Sequence, residues 1–276
     1  MASKDPRAEA RRRRRRREAN ALASHVTEQE AAELGLHHKT GEDHYRAFVG
    51  RPHNYDLGGA VQFEFLFDLG MREYHRILDI GCGSLRLGRH IIPWLMPGRY
   101  YGLEPNREIV IAGLQQHFGS GEDGEIVRCK QPSFAYNADF DFSFIGEPVD
   151  FMMAHSIASH TGVTEIEKLF TAVASACHDE TVAVVTFCRC EGSADQNEDD
   201  GWFYPGIVRY TDEFVAALAA KVGLRACRTI WPPGNHRRGG ATSLNQTPLI
   251  LTKDTWRPTP AHFQYGRRRN PPVVLA

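Results

Sequence analysis

The sequence predicts an α/β fold: a mostly parallel sheet of seven strands, with an antiparallel strand at the C-terminal end and helices on both faces. Three observations point there. Between residues 76 and 188 short apolar runs alternate with amphipathic stretches, a glycine-rich turn links the first run to the next helix, and no helix separates the last two runs. Such alternation produces right-handed crossovers and hence parallel strands. Strands joined without a helix pair antiparallel.

Taken in order, residues 27–36 read as a short helix, and a polar, histidine-containing stretch at 37–54 reads as a lid. Ala60, Phe63, Leu66, Phe67 and Leu69 recur near helical spacing and predict an amphipathic helix leading into the sheet. Strands are predicted at 76–80, 99–103, 125–129, 149–154, 181–188, 224–231 and 248–252. Helices are predicted at 85–95, at 106–118 with Asn106 as cap and Glu108 in the first turn, at 164–176 with a Thr-x-x-Glu pattern, and at 212–222 ending on Gly223. The domain division that follows is an arginine-rich arm (1–26), a helical lid segment (27–58), the main domain (59–255) and a loosely structured tail (256–276).

With 42% hydrophobic and 24% charged residues, the chain has the apolar surface for a substantial core, which excludes disorder throughout. It lacks an uninterrupted apolar run long enough for a bilayer, and its first residues lack the apolar stretch of a signal peptide, so a cytoplasmic location without membrane contact is expected. The six cysteines are scattered without a CxxC pair, which suits a reduced compartment and argues against a zinc ribbon. No metal site is predicted. The net charge of −1 conceals an asymmetry: residues 1–18 carry +6 and the remainder −7. Seven consecutive arginines, Arg11 to Arg17, repel one another, so this arm is expected to be disordered. It is either a solvated tail or a contact for nucleic acid through its phosphates.

Asp79-Ile80-Gly81-Cys82-Gly83-Ser84-Leu85-Arg86-Leu87-Gly88 lies where a strand hands over to a helix, the place where open α/β sheets bind ligands. Gly81 and Gly83 allow a tight turn and close approach of a ligand to the backbone. A nicotinamide-type loop carries its third glycine where this chain has Arg86; the spacing here is GxGxxxxG, with an acid two residues ahead.

Leu78-Asp79-Ile80-Gly81-Cys82-Gly83 resembles the first motif of class I S-adenosylmethionine-dependent methyltransferases. The likeness to a bacterial small-molecule branch extends through Tyr55-Asp56-Leu57-Gly58-Gly59, Gln62-Phe63, Tyr100-Tyr101-Gly102-Leu103-Glu104-Pro105-Asn106 and the run Val149 to His160. It implies a Rossmann-like sheet and S-adenosylmethionine as cofactor. By this resemblance Glu104 takes the ribose hydroxyls, its neighbours Pro105 and Asn106 count with the cofactor-binding residues, and Asp79 stands near the amino-acid end of the cofactor. Gly81 and Gly83 line the adenosine, Cys82 between them counts with the cofactor-binding residues, and Leu85 stands where many relatives have a third glycine. Asp139, with Asp141 as competitor, addresses the adenine amino group. Arg86 either reaches a carboxylate or makes a helix-surface ion pair. His155 and His160 follow the fourth strand at the edge where cofactor and substrate meet, and either serves as general base, His160 being the preferred one. Gly201-Trp202-Phe203-Tyr204-Pro205 forms either an aromatic wall of the substrate pocket or part of the core. The reaction expected is in-line methyl transfer to a small-molecule hydroxyl, of a metabolite or sugar. Methylation of nucleic acid through the arm, or cofactor binding without turnover, are the alternatives.

Overall fold

A computed structural model describes residues 26–229, 246–253 and 273–275. Residues 1–25 of the expected disordered arm, the predicted tail apart from residues 273–275, and the glycine- and arginine-rich loop 230–245 therefore lie outside the described residues.

The chain enters through α1 (Glu28–Glu33), whose Thr27 and Glu30 form a reciprocal capping box, then α2 (Tyr45–Phe48) and a 3-10 turn at Pro52–Asn54 that runs into α3 (Tyr55–Asp68). The sheet begins with β1 (Ile77–Ile80), followed by α4 (Gly88–Trp94), β2 (Tyr100–Leu103), α5 (Arg107–Phe118), α6 (Glu125–Lys130), β3 (Ser133–Ala135) and β4 (Phe151–Ala154). The remaining elements are α7 (Val163–Ala176), β5 (Val182–Phe187), α8 (Asp212–Lys221), β6 (Arg225–Arg228), β7 (Thr247–Thr252) and β8 (Val273–Leu275).

Eight strands form one sheet in the order β3-β2-β1-β4-β5-β7-β6-β8. The first five are parallel, β7 runs antiparallel to both β5 and β6, and β8 pairs antiparallel with β6. Two expectations need correction. The tail is not loose at its end, because residues 273–275 add an eighth strand. Residues 125–130 form a helix and not the third strand, which is the three-residue β3 further on. Glu125 in its first turn and Arg128 and Lys130 in its last suit a helix dipole, and Gln131 ends it in the left-handed region.

Successive residues of β1 point to opposite faces. Ile77 joins the core under α3, α4 and α5, while Leu78 and Ile80 join the core under α7 and α8. Strand order reverses between β1 and β4, so a crevice opens beyond their carboxyl ends. The glycine turn leaves β1 there, and His155 leaves β4 beside it.

The turn is gripped from both sides. A Cβ placed on Gly59 of α3 would collide with the Arg86 carbonyl oxygen, and one on Gly113 of α5 with the Ser84 carbonyl oxygen, so both helices press directly on loop backbone. Helix α4 starts at Gly88 and not at Leu85, because Leu85 is fully buried in the left-handed region at φ 62°. A buried leucine holds the conformation for which glycine is the easy choice.

Candidate active site

A cleft of about 800 Å³ lies at the crevice, within the range of small-molecule sites. Its floor is Ile80, Gly81, Gly83, Leu103 and Glu104; residues 48–51 of the predicted lid close one side, and Trp202, Tyr204 and Ile207 another.

Gly81 (φ 71°) and Gly83 (φ 52°) turn the backbone beneath it, and a Cβ there would strike Ile157 and Val49 respectively. Glu104 ends β2 with its carboxylate nearly buried. Oε2 accepts the Gly83 N–H at 3.0 Å and Oε1 the Asn106 N–H at 3.1 Å, which fixes the carboxylate against the glycine turn. Burial raises its pKa, offset by these two amides.

Arg86, half-buried at the cleft wall, donates from Nη1 to the Val49 carbonyl at 2.9 Å and so ties the lid to the turn. Its buried Nε has no hydrogen-bond partner. A second tie is Tyr55, whose hydroxyl donates to the Ser84 carbonyl at 2.8 Å and lies 2.7 Å from His117 Nε2. The Arg46 and Arg89 guanidinium groups lie over the Tyr55 ring and both pair with Asp56.

Asp79 does not line the cleft. Its carboxyl points into the core on the α3 side and accepts the Tyr100 hydroxyl at 2.8 Å. Burial pushes its pKa up to about 7, against the lowering effects of Tyr100 and Arg86. Between the unfolded value, near 4, and 7, the unfolded chain loses a proton that the folded chain keeps, so this group's contribution to stability declines as pH rises through that window. Asp79→Asn is therefore expected to gain melting temperature relative to the parent as pH goes from 4 to 7; parallel curves in thermal denaturation would refute this.

Beyond β4 a polar network runs in one direction. The Thr186 hydroxyl donates to Gln246 Oε1 at 2.6 Å, and Gln246 Nε2 donates to Ser156 Oγ at 2.5 Å and Ser159 Oγ at 3.0 Å. The Thr186 hydrogen is thus committed, so its 3.2 Å contact with His155 Nδ1 is donated by the imidazole. His160 Nδ1 faces the Gly206 carbonyl at 2.5 Å and must donate as well, which leaves its Nε2 to accept, 3.3 Å from the Ser156 hydroxyl. Both rings therefore carry their proton on Nδ1. Burial lowers both pKa values, with the Arg86 charge contributing second for His155, whose value falls well below 6.5.

The sequence-predicted residues divide accordingly. Gly81, Gly83, Arg86, Glu104, Pro105, His155 and His160 meet at the cleft. Cys82 is buried behind the turn, and Asn106 caps α5 through Ile109 N and supplies its own N–H to Glu104. Asp139 and Asp141 line a separate surface groove with α7, while Asn137, Ala138 and Phe140 of the same loop reach the cleft. Gln246 and Thr186 carried no motif signal, and Ser156 lay within the resembling run 149–160 without a role of its own. Of the aromatic segment, Trp202 and Tyr204 line the cleft; Tyr204 packs edge-on against His160 at 4.9 Å and donates its hydroxyl to the Phe48 carbonyl. Among the described residues no three His, Cys, Asp or Glu side chains converge as a metal site, and no helix is long and apolar enough to cross a membrane.

No protein-family model and no curated protein sequence matches the chain. Solved structures do. Magnesium protoporphyrin IX methyltransferase (ChlM) from Synechocystis PCC 6803, with S-adenosylmethionine bound, aligns over 85% of this chain and 95% of its own at a TM-score of 0.51 and 11% identity. The same enzyme with S-adenosylhomocysteine bound aligns over 72% and 83%, at 0.50 and 13%. The mitomycin 7-O-methyltransferase MmcR aligns over 76% of this chain and 56% of its own, at 0.50 and 15%. At such identities the likeness is one of fold. The chain has the Rossmann-like fold of class I S-adenosylmethionine-dependent methyltransferases, with one strand more than the seven expected.

Proposed function

We propose that this chain is an S-adenosylmethionine-dependent methyltransferase that acts on a hydroxyl of a small molecule. The observation that carries this reading is the juxtaposition, on the floor of one cleft, of the two-glycine turn after β1 and the amide-held carboxylate of Glu104 after β2. The residues present fit such a cofactor. A Cβ would fill the cradle at Gly81 and Gly83, and an ionised carboxylate accepts two hydroxyl hydrogens at once. The unpartnered Nε of Arg86 is a donor matched to an amino-acid carboxylate. The named structural neighbours that hold S-adenosylmethionine or S-adenosylhomocysteine support the same reading.

When bound, the cofactor supplies a methyl group on a positively charged sulfur. The chain's part is alignment and proton acceptance. Glu104 holds the ribose, and Asn137 borders the nucleoside end. Gln246 and Thr186 fix the His155 proton on Nδ1, which leaves the Nε2 lone pair to accept the acceptor's hydroxyl proton as its oxygen bonds to carbon. His160 spends its Nε2 on Ser156, so its role is to hold that serine and the Tyr204 ring. Burial first, and the Arg86 charge second, lower the His155 pKa and keep the base neutral at neutral pH.

Calorimetric titration with S-adenosylhomocysteine tests the cofactor reading, and a folded chain that binds none overturns it. His155→Phe is expected to lower turnover about 10²- to 10⁴-fold with cofactor affinity little changed; unaltered turnover would remove His155 from the mechanism. Because the base stays deprotonated, the parent's kcat/KM is expected to be flat from pH 8 down through 6.5.

A further inference from the structure

The half of the cleft away from Gly81 and Glu104 differs in character from the half beneath them. Trp202 and Ile207 are 48% and 51% exposed, yet the segment that carries them is fixed: Phe203 N–H donates to the His160 carbonyl at 2.8 Å and Val208 N–H to the Ser159 carbonyl at 2.9 Å. The Trp202 ring leans on Phe140 at 5.9 Å and Tyr204 lies 5.8 Å from Phe48, so the exposed aromatic surface is already held in position. A flat apolar surface with little side-chain freedom left to lose is suited to a planar ring.

The charges lining the cleft are unequal. Arg51, Arg86 and Arg209 line it, and Glu104 is its one carboxylate among the described residues. Arg51, on the lid side, and Arg209, at the end of the aromatic segment, make no ion pair with a described carboxylate, and both are exposed. With Glu104 committed to the cofactor ribose and a cationic sulfur nearby, the acceptor half carries an excess of positive charge. Guanidinium groups there favour a carboxylate, which they engage through paired hydrogen bonds.

We propose that the acceptor is an anionic aromatic hydroxy compound, a hydroxyaryl carboxylate. Its ring lies along Trp202 and Tyr204, its carboxylate faces Arg51 and Arg209, and its hydroxyl is turned toward His155. This rests on the methyl-transfer reading of the same cleft. The transfer balances within the two ligands and the base: the aryl oxygen forms a bond to the methyl carbon, the carbon–sulfur bond breaks with its electron pair left on sulfur, and the hydroxyl proton passes to His155 Nε2. The product is an aryl methyl ether beside a neutral thioether.

The test uses the full chain saturated with S-adenosylhomocysteine, titrated with 4-hydroxybenzoate and 6-hydroxy-2-naphthoate, each against its neutral carboxamide, and followed by calorimetry and by Trp fluorescence. The acids are expected to bind at least tenfold more tightly than the amides. In the Arg51→Gln/Arg209→Gln double variant that preference should fall to less than threefold, while affinity for S-adenosylhomocysteine is retained. Trp202→Ala should weaken acids and amides alike. Equal binding of acid and amide, or no binding of either acid, by a chain that binds S-adenosylhomocysteine overturns this inference alone; failure to bind S-adenosylhomocysteine overturns the methyltransferase reading and this inference with it.

Discussion

Glu104→Ala is expected to weaken S-adenosylhomocysteine binding by about 10²- to 10⁴-fold, since two charge-assisted hydrogen bonds at about 1.5–3 kcal/mol each are lost. The same carboxylate also accepts the N–H groups of Gly83 and Asn106, so the alanine variant leaves the glycine turn without an acceptor and part of its effect is structural. Glu104→Gln separates the two. Its amide oxygen still accepts from one backbone N–H while the negative charge is gone and the amide NH2 faces the other N–H, so an intermediate loss of affinity at a melting temperature between those of the alanine variant and the parent is expected. Unchanged affinity in both folded variants would remove the ribose role. Because burial raises the Glu104 pKa, affinity should also begin to fall at a higher pH on acidification than an ordinary glutamate would give.

Gly113→Ala is expected to destabilise the chain by about 1–3 kcal/mol, toward the upper end, because the atom met is backbone and not a movable side-chain tip. Two effects of opposite sign make the measurement decisive. Within a helix, alanine is favoured over glycine by about 0.5–1 kcal/mol, so intrinsic propensity alone makes the variant more stable. A lower denaturant midpoint supports the close approach of α5 to Ser84, and a higher one refutes it. Cofactor affinity should fall together with stability, since the carbonyl that is pushed belongs to the turn under the cleft.

The parallel core was legible because its strands are short, mainly apolar runs, such as Ile77–Ile80 and Val182–Phe187, buried on both faces. The third strand was not. Ser133–Ala135 is only three residues long and half-buried, too short to show a period, whereas Glu125 to Cys129 offered Ile126 and Val127 in a row and read as a strand. At the candidate site, cleft-lining residues a few positions beyond strand ends were legible: the glycine pair, Glu104 and the two histidines. Those delivered by long-range pairing were not. Gln246 reaches Thr186 because β7 inserts between β5 and β6 with Phe187 opposite Thr247, and nothing in the local pattern around residue 246 encodes that insertion. Asp139 was expected at the adenine end from its distance ahead of Asp150, but the loop turns its side chain outward and presents Asn137 inward. Phe140, at φ 58°, marks the turn that does so.

The two glycine contacts that hold the turn between α3 and α5 set the unit in which this site can be moved. Residues 79–88 grafted onto another sheet would arrive without the two surfaces that shape them; a working transplant has to carry residues 55–68 and 107–118 as well. For the same reason, recombination between distant homologues that splits these three segments should produce chimaeras whose sheets assemble but whose cleft floor is lost.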